Sequence, residues 1–438
     1  MNVVGLITEY NPFHNGHKYH IEEARRITGA DFCIAVMSGN FVQRGAPAII
    51  DKYSRTQMAL NNGVDLVLEL PVCYATGSAE FFAHGAVSIL DGLGITDYLC
   101  FGSEAGDIGQ LQAATSMLLD TPASFDEKLK TCLKEGLNYP AARQKAMEAL
   151  LEPQAQPLSS PADSSLIKLL AEPNNILGIE YLKAIRNLSA SIKPVTIQRE
   201  AAHYHDTALS GNSSCPFVPE EAFAPVISSA TAIRGVINQE AHPTDHISEI
   251  KSSVPANVYQ LLEEQYQKTS PVTEDDFLSI LQYKLLAKDQ SALTQYLDIS
   301  ADLADRMKNT AGVNCSYAEL ASRLKTKNLT LTRINRALFH LLLNIRTDEL
   351  ATYKMMGYTS YARILGMRRD ASRLLRSIQD NSRIPVITKV SQARKILDAT
   401  QLRMLSGDIF AAHLYNQAVY AKYHTSLADE YRHGIVIL

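Results

Sequence analysis

Two histidines near the start of the chain are the residues whose type and spacing most clearly suggest chemistry. His14 and His17 flank Gly16 in a short loop that follows residues 3–7, an apolar, β-branched run typical of a buried strand. A helical pattern begins after them, with Asn15 as its expected N-cap. A strand, a tight loop and a helix start are therefore expected to bring two imidazoles together.

These two imidazoles suit phosphate chemistry. The first turn of a helix has unpaired N–H groups and a partial positive charge, so it attracts phosphate. Gly16 has no side chain and lets a nucleotide approach the backbone, while the imidazoles can donate hydrogen bonds to charge developing on an α-phosphate. Such a site needs no protein nucleophile, because it positions the reactants and stabilises charge. In the alternative interpretation both histidines are ordinary loop and helix-cap residues.

The tetrad HNGH at positions 14–17 resembles the HxGH motif of the nucleotidylyltransferase superfamily. One position departs from that pattern, because many members have a hydroxyl residue five places before the first histidine, where this chain has Glu9. A carboxylate there would repel a triphosphate unless it binds a metal ion, an amine or a ribose hydroxyl. The carboxylate of Glu9 therefore affects the geometry in which the phosphates would bind.

A second stretch, residues 228–234, resembles the (S/T)-x-x-I-R sequence that lies far downstream of HxGH in the same superfamily. Its hydroxyls, including that of Ser229, and its helix-start amides could hold β- and γ-phosphates, and Arg234 could neutralise them. Taken alone, the stretch is also compatible with an ordinary helix cap. Its order after the histidine tetrad favours the phosphate interpretation.

The elements that must position these residues alternate between strands and helices. Strands are predicted at 30–37, 64–71, 98–101 and 193–198, and helices over 50–62 and 81–90, with Gly29 as the C-cap of the first helix. Alternation of this kind predicts an α/β fold with a doubly wound parallel sheet of the Rossmann type. Ligands bind at the carboxyl ends of such strands. The histidines, the loop 38–45, Pro71 and Gly102 should therefore share one rim.

The 438 residues fit two or three domains, and we predict two parts. Residues 1–245 form a nucleotidylyltransferase-like catalytic domain with a helical insertion at 107–172, after which Asn174 and Asn175 are expected to cap a helix. Residues 246–438 are mainly helical, with helices at 254–267, 277–288, 303–310, 317–325 and 331–343 and a strand at 385–388. His203, His205 and Asp206 crowd one short loop, where a metal cluster is the alternative interpretation; no metal-ligating residue is predicted.

Charge is divided unevenly along the chain. Residues 320–438 contain 19 Lys and Arg against 8 Asp and Glu, a net +11, so the remaining residues carry −15. A basic part attached to an acidic part suggests binding of an anionic macromolecule. The candidate RNA-binding residues are Arg363, Arg368, Arg369, Arg373 and Arg376, preceded by Tyr353, Tyr358 and Tyr361. The alternative is a solvated helix with tyrosines in the core.

Several classes of protein are not indicated by the composition. A run of about 18 apolar residues, which a membrane span needs, is absent, and the first residues do not resemble a secretory signal. The six cysteines are scattered singly without a CxxC pair, so neither a zinc knuckle nor a disulfide framework is expected. We therefore expect a cytoplasmic protein that does not contact membranes.

Longer stretches extend the resemblance beyond the superfamily. Residues 4–17, 37–45, 68–71, 101–104 and 174–178, and more loosely 361–366 and 382–389, resemble the bacterial tRNA(Met) cytidine acetate ligase family. With the superfamily motifs, the resemblance implies ATP contacts at Ile7, Thr8, Glu9, Tyr10, Asn11, Pro12, Phe13, His14, Asn15, Gly16, His17, Lys18, Tyr19, His20, Gly102, Asn174, Asn175, Arg199, Ser229 and Arg234.

That family implies ATP-dependent activation of acetate to acetyl-adenylate, with pyrophosphate released. The acetyl group then passes to N4 of the wobble cytidine of elongator tRNA(Met). ATP is thus an expected substrate, Mg²⁺ an expected cofactor, and tRNA and acetate expected partners; the oligomeric state is not predicted. Two alternatives stay open: a nucleotidylyltransferase acting on a phosphorylated small molecule, and a non-catalytic RNA-binding protein that binds ATP without splitting it.

Overall fold

The computed structural model describes residues 1–119, 123–135, 137, 142, 145–146, 169–170, 172–199, 226–239 and 246–438. Within the predicted insertion at 107–172 it describes two helices, α5 (Ile108–Leu119) and α6 (Ala123–Lys134). The loop with His203, His205 and Asp206 lies outside the described residues.

An eight-stranded sheet forms the centre of the molecule, in the order β10-β8-β5-β2-β1-β6-β7, with β9 paired to β8. Its strands are β1 (Val3–Thr8), β2 (Phe32–Ser38), β5 (Leu66–Leu70), β6 (Tyr98–Ser103), β7 (Lys193–Gln198), β8 (Ala362–Met367), β9 (Val386–Ile387) and β10 (Val436–Ile437). A separate hairpin joins β3 (Phe41–Val42) and β4 (Ala46–Pro47). The five N-terminal strands of the sheet are parallel, which confirms the predicted α/β class, but β8 runs antiparallel to β5 and makes the sheet mixed.

Helices cover both faces of this sheet in the N-terminal part of the chain. They are α1 (Asn15–Thr28), α2 (Lys52–Asn61), α3 (Val72–Ala75), α4 (Ala79–Gly92), α7 (Pro173–Asn187) and α8 (Ala230–Ile237). Successive side chains of β1 enter different cores, since Val3 packs with α4 and α7, whereas Val4 and Leu6 pack with α1 and α2. Gly29 ends α1 with φ 61°, as predicted, but His14 rather than Asn15 is the N-cap.

Helices dominate the C-terminal part. They are α9 (His246–Glu249), α10 (Ala256–Gln265), α11 (Leu278–Ala287), α12 (Gln290–Leu293), α13 (Ala301–Thr310), α14 (Tyr317–Leu324), α15 (Leu331–Leu342), α16 (Thr347–Met355), α17 (Ser372–Asn381) and α18 (Ala399–Tyr423). Among the described helices, none combines the length and apolar character that crossing a lipid bilayer requires. The division at residue 245 stays a prediction, and the central sheet takes strands from both sides of it.

Four buried charged residues join the two parts. Lys52 Nζ donates to Glu69 Oε1 at 2.7 Å and to Glu430 Oε2 at 2.9 Å, and the Arg363 guanidinium pairs with both carboxylates. Two cations and two carboxylates thus compensate one another in a buried position. Arg363 is 4% exposed. The expectation that Arg363 binds RNA is therefore wrong, because its charge is used inside the protein.

The other candidate RNA-binding arginines lie near a different edge of the sheet. Because β8 is antiparallel to β5, Met367 pairs with Leu66, the first residue of β5. Arg368 follows there, where its backbone N–H donates to Asp65 O at 3.0 Å and its guanidinium pairs with Asp370. This edge is opposite the carboxyl ends of the parallel strands. Arg369, Arg373 and Arg376 are exposed, and the RNA contacts expected of these arginines and of Arg368 stay predictions.

Candidate active site

A cavity of about 270 Å³ opens at the carboxyl ends of the parallel strands. Fifteen of the residues expected to contact ATP line it: Ile7, Thr8, Glu9, Tyr10, Asn11, His14, Gly16, His17, Tyr19, His20, Gly102, Asn174, Arg199, Ser229 and Arg234. The structure therefore brings together residues that are more than 200 positions apart in the chain. Their contacts with ATP remain a prediction.

Five of the expected residues do not line the cavity. Pro12 and Phe13 are buried, and Lys18 is half-exposed beside Glu22. Asn15 and Asn175 use their side chains to hold neighbouring segments of backbone. Their side chains do not line the cavity, and their contacts with the nucleotide stay predictions.

The two histidine rings of the tetrad stack on each other at the start of α1. Their centroids are 3.6 Å apart, with 25° between the planes. The backbone N–H of His14 donates to His17 Nδ1 at 3.2 Å, so in the neutral ring of His17 the proton is on Nε2. His14 Nδ1 is buried and finds no hydrogen-bond partner among the described residues. His17 Nε2 therefore stays available to a ligand, whereas His14 Nδ1 is enclosed by protein.

The imidazoles of this site are uncharged at neutral pH. Burial, together with Arg199 and Arg234, lowers the pKa of His14 from 6.5 to about 3. Burial, followed by the proximity of His14, places the pKa of His17 well below its ordinary value. Burial and Arg199 lower the pKa of His20 to about 4. Each ring can thus donate one hydrogen bond without adding a positive charge.

The start of α1 is fixed by two distant segments. The Asn15 side chain donates to Val226 O at 3.1 Å and to Ser252 O at 2.8 Å, and its backbone N–H donates to Ser253 O. Ser228 and Ser253 hydroxyls are 3.0 Å apart. These bonds place the second motif directly beside the histidine tetrad.

The second motif begins α8 at the cavity. Ser229 is its N-cap, with Oγ accepting from Ala232 N–H at 3.1 Å, as the cap interpretation expected. The Arg234 guanidinium donates to Asn11 O at 2.7 Å and to Thr231 Oγ1 at 3.2 Å. Arg234 therefore both ties α8 to the loop after β1 and contributes positive charge to the cavity.

Gly102 and Arg199 face each other at the ends of β6 and β7. A Cβ on Gly102 would lie 3.2 Å from Arg199 Cγ, so a larger residue would push the arginine aside. The asparagine pair behaves differently from the sequence expectation, since Glu172 is the N-cap of α7. Asn174 Nδ2 instead donates to Glu104 Oε1 at 2.6 Å. The pair links α7 to the loop after β6.

Sequence reasoning missed much of the cavity wall. Gln43 and Arg44 belong to the loop 38–45, and Ser228, Ala230 and Thr231 to the second motif, so the sequence analysis indicated their stretches but not the individual residues. The lining residues that were missed altogether are Phe82, Phe101, Leu177, Tyr181, Ile197, Gln198 and Ile227. Most of the apolar members come from β6, β7, α4 and α7 and suit a flat base, whereas Gln43 and Arg44 come from the β3–β4 hairpin on the other side of β1. The loop 38–45 was already expected at this rim, and its single arginine was the signal that could have identified Arg44 as a lining residue.

Glu9 supplies the carboxylate among the described lining residues. Its Oε1 accepts from the Gln43 N–H at 2.8 Å, which ties it to the hairpin. Among the described residues there is no group of three or more His, Cys, Asp or Glu placed to hold a metal ion. A cation bound mainly by phosphate oxygens, water and one carboxylate is compatible with this arrangement.

The parallel sheet, the helix start and the paired imidazoles define a nucleotidylyltransferase site. The chain matches the HIGH Nucleotidyl Transferase family over residues 1–430. It is 37% identical over 439 residues to the tRNA(Met) cytidine acetate ligase of Acetivibrio thermocellus, covering 100% of both chains. It is 40% identical over 416 residues to the enzyme of that name from Clostridium perfringens, covering 95% of each.

Solved structures agree with these relatives. Thermotoga maritima TmcAL bound with alpha-thio ATP matches with a TM-score of 0.87 at 29% identity, and its apo form I with 0.89 at 30% identity, each covering 100% of both chains. The chain belongs to the tRNA(Met) cytidine acetate ligase family.

Proposed function

We propose that this protein is an ATP-dependent ligase that acetylates N4 of the wobble cytidine of elongator tRNA(Met). The observation that carries the proposal is the cavity, in which stacked neutral imidazoles at a helix start lie beside two arginines. The chain is 37–40% identical, over 95–100% of its length, to enzymes named tRNA(Met) cytidine acetate ligase, and this identity supports the proposal. A nucleotidylyltransferase acting on a phosphorylated small molecule is not favoured, because these relatives are named for acetate and tRNA.

In the first step acetate attacks the α-phosphorus of ATP. An acetate oxygen forms a bond to phosphorus, the bond to the β-phosphate oxygen breaks, and pyrophosphate leaves with that electron pair. Acetate is already ionised at neutral pH, so no base is needed. His17 Nε2–H and the imidazole of His14, which also lines the cavity, are the groups that can donate to the charged α-phosphate oxygens. Arg199 and Arg234 offset the charge of the triphosphate.

In the second step the cytidine amine attacks the acetyl carbonyl. The N–C bond forms, the C–O bond to the phosphate breaks, AMP leaves and the proton of N4 goes to solvent.

Mg²⁺, when bound, would supply further positive charge for the pyrophosphate that leaves in the first step. Among the described residues Glu9 is the carboxylate that could hold it, together with phosphate oxygens and water.

Pyrophosphate release from ATP tests this function. With acetate and without tRNA we expect pyrophosphate and acetyl-adenylate, and with tRNA(Met) we expect AMP and N4-acetylcytidine. Pyrophosphate release that requires a phosphorylated small molecule instead of acetate would support the simple nucleotidylyltransferase. ATP that binds but is never split would support the non-catalytic RNA-binding protein.

A further inference from the structure

Residues 323–336, here called the basic segment, concentrate positive charge without any acidic residue. Arg323, Lys325, Lys327, Arg333 and Arg336 fall within it, and no Asp or Glu occurs between positions 320 and 347. All of these cations except Arg336 are exposed, and the four exposed ones form no salt bridge with a described residue. Charge of this kind is available to a polyanion.

The connection inside the basic segment is an ordered loop. Thr326 Oγ1 accepts from the N–H groups of Asn328 and Leu329, at 3.3 and 3.1 Å. The Arg306 guanidinium reaches Arg323 O and Lys325 O at 3.5 and 3.4 Å. The exposed cations are thus attached to an ordered backbone. Arg306, whose guanidinium contacts that backbone, adds a further positive charge.

The helix that ends the basic segment is fixed at the cavity side of the sheet. His340 of α15 has Nε2 3.0 Å from Thr76 O and Nδ1 3.1 Å from Leu297 O. Thr76 follows β5 through α3, and so lies beyond the carboxyl end of a parallel strand. Phe339 packs against Phe41 of the β3–β4 hairpin, with centroids 5.8 Å apart. The basic segment is therefore attached to the rim that carries the cavity.

A direct contact connects the basic segment to the cavity wall. Gly45, with φ 71°, lies so close to α15 that a Cβ on it would come within 2.5 Å of Asn335 C. Gln43 and Arg44, which immediately precede Gly45, line the cavity. One hairpin thus touches the proposed adenylate site on one side and the basic segment on the other.

We propose that the basic segment binds the phosphate backbone of the tRNA anticodon arm and holds the wobble base at the cavity. This inference rests on the proposed function, because it assigns the RNA partner of that site to a surface. It also differs from the sequence expectation, in which arginines 368, 369, 373 and 376 hold the RNA. That group begins at the opposite edge of the sheet, beside the first residues of β5.

Two triple variants that remove the same charge decide between the two surfaces. R323Q/K325Q/K327Q removes three exposed cations from the basic segment, and R369Q/R373Q/R376Q removes three from the other surface. Affinity for an RNA anticodon stem–loop is measured by fluorescence anisotropy over a range of salt concentrations. We expect the slope of log affinity against log salt to shrink by about 2 to 3 in the first variant, because each lost phosphate contact contributes about 0.7 to 0.9.

The second variant should change this slope less than the first. The proposal is overturned if the first variant keeps the wild-type slope, or if the second changes the slope as much or more. Acetate-dependent pyrophosphate release without RNA should stay at the wild-type rate in the first variant, which shows that the protein is folded. Wild-type protein that releases no pyrophosphate but binds RNA in the expected way would refute the proposed function and leave the surface assignment standing.

Discussion

Two stretches of the chain, residues 363–376 and residues 323–336, each contain five Lys or Arg residues but have different surroundings in this molecule. Residues 363–376 place Arg363 in a buried charge network and Arg368 beside two aspartates at the far edge of the sheet. Residues 323–336 contact the β3–β4 hairpin, which lines the cavity, through Asn335, and Asp298 pairs only Arg336 of their five cations. Both segments contribute to the same net charge of residues 320–438.

A count of arginines therefore does not identify an RNA surface. A cation whose carboxylate partners lie on neighbouring strands stabilises the fold and is not available to phosphate. In residues 363–376, Arg363 pairs with Glu69 of β5 and with Glu430. Part of the positive charge therefore stabilises the contact between β8 and β5. In residues 323–336, Asp298 pairs with Arg336, whereas the four exposed cations form no salt bridge with a described residue and stay directed to solvent.

The largest expected effect comes from Arg363→Met. The change leaves Lys52 to compensate two buried carboxylates, and removal of one partner from a buried ion pair typically costs about 3 to 5 kcal/mol of folding free energy. Urea unfolding measures it. Arg373→Met, the same substitution at an exposed position, should cost less than about 0.5 kcal/mol. Equal stabilities would show that Arg363 does not belong to the network.

The same network predicts acid sensitivity. Burial alone would raise the pKa of Glu430, but Lys52 and Arg363 lower it from 4.5 to about 2. A carboxylate with a depressed pKa stabilises the folded state above its ordinary pKa, and that stability is lost as the pH falls through the folded value. Wild-type protein should therefore lose this contribution between pH of about 4.5 and 2, whereas Arg363→Met should lose less over that interval.

The next effect separates chemistry from RNA binding. His17→Ala removes a neutral donor from the start of α1 and should slow acetate-dependent pyrophosphate release by about 10²- to 10³-fold. It should leave the stem–loop affinity and its salt slope unchanged, because the cations of residues 323–336 and 363–376 lie outside the histidine tetrad. His413→Ala, on the exposed face of α18, is the control and should change neither measurement. A near-normal rate in His17→Ala would show that the ring is not catalytic.

The smallest effect is expected from Arg368→Ala. Its guanidinium is 39% exposed and its partner Asp370 is 66% exposed, so the pair should contribute at most about 1 kcal/mol to stability. Thermal unfolding and pyrophosphate release should both stay close to wild type. A loss of stability comparable to that of Arg363→Met would contradict the expectation that an exposed arginine stabilises the fold less than a buried one.

Local periodicity was sufficient to predict many of the elements. The helix predicted at 331–343 is observed as α15 over Leu331–Leu342, because its buried residues recur at helical spacing and Thr330 caps its start. The strand β8 was missed, since six consecutive buried residues carry no alternation that distinguishes a strand from a buried helix. The long helix α18 was also missed, although Asp398 gives it a capping box.

The site was predictable where one short motif contains the chemistry. The histidine tetrad and Arg234 were found because their residue types and order indicate phosphate binding, and the structure places them together. The loop 38–45 was placed at the rim, but Phe82 and Tyr181 were missed, because a cavity wall depends on which helices meet at the rim and local sequence does not state this. Arg363 was misassigned because side-chain burial depends on partners such as Glu430, far away in the chain.

Lys52 and Glu430 are 378 positions apart in the sequence, so their ion pair can form only after almost the whole chain has been synthesised. Ribosomes add about 5 to 20 residues per second, so roughly 20 to 75 seconds pass between the synthesis of the two residues. For most of that interval Lys52 and Glu69 lack two of their partners and β5 lacks the neighbouring strand β8, because Arg363 of β8 precedes Glu430 by only 67 positions. The nascent chain therefore carries an open sheet edge, and chaperones that shield such edges would protect it until its final strands emerge.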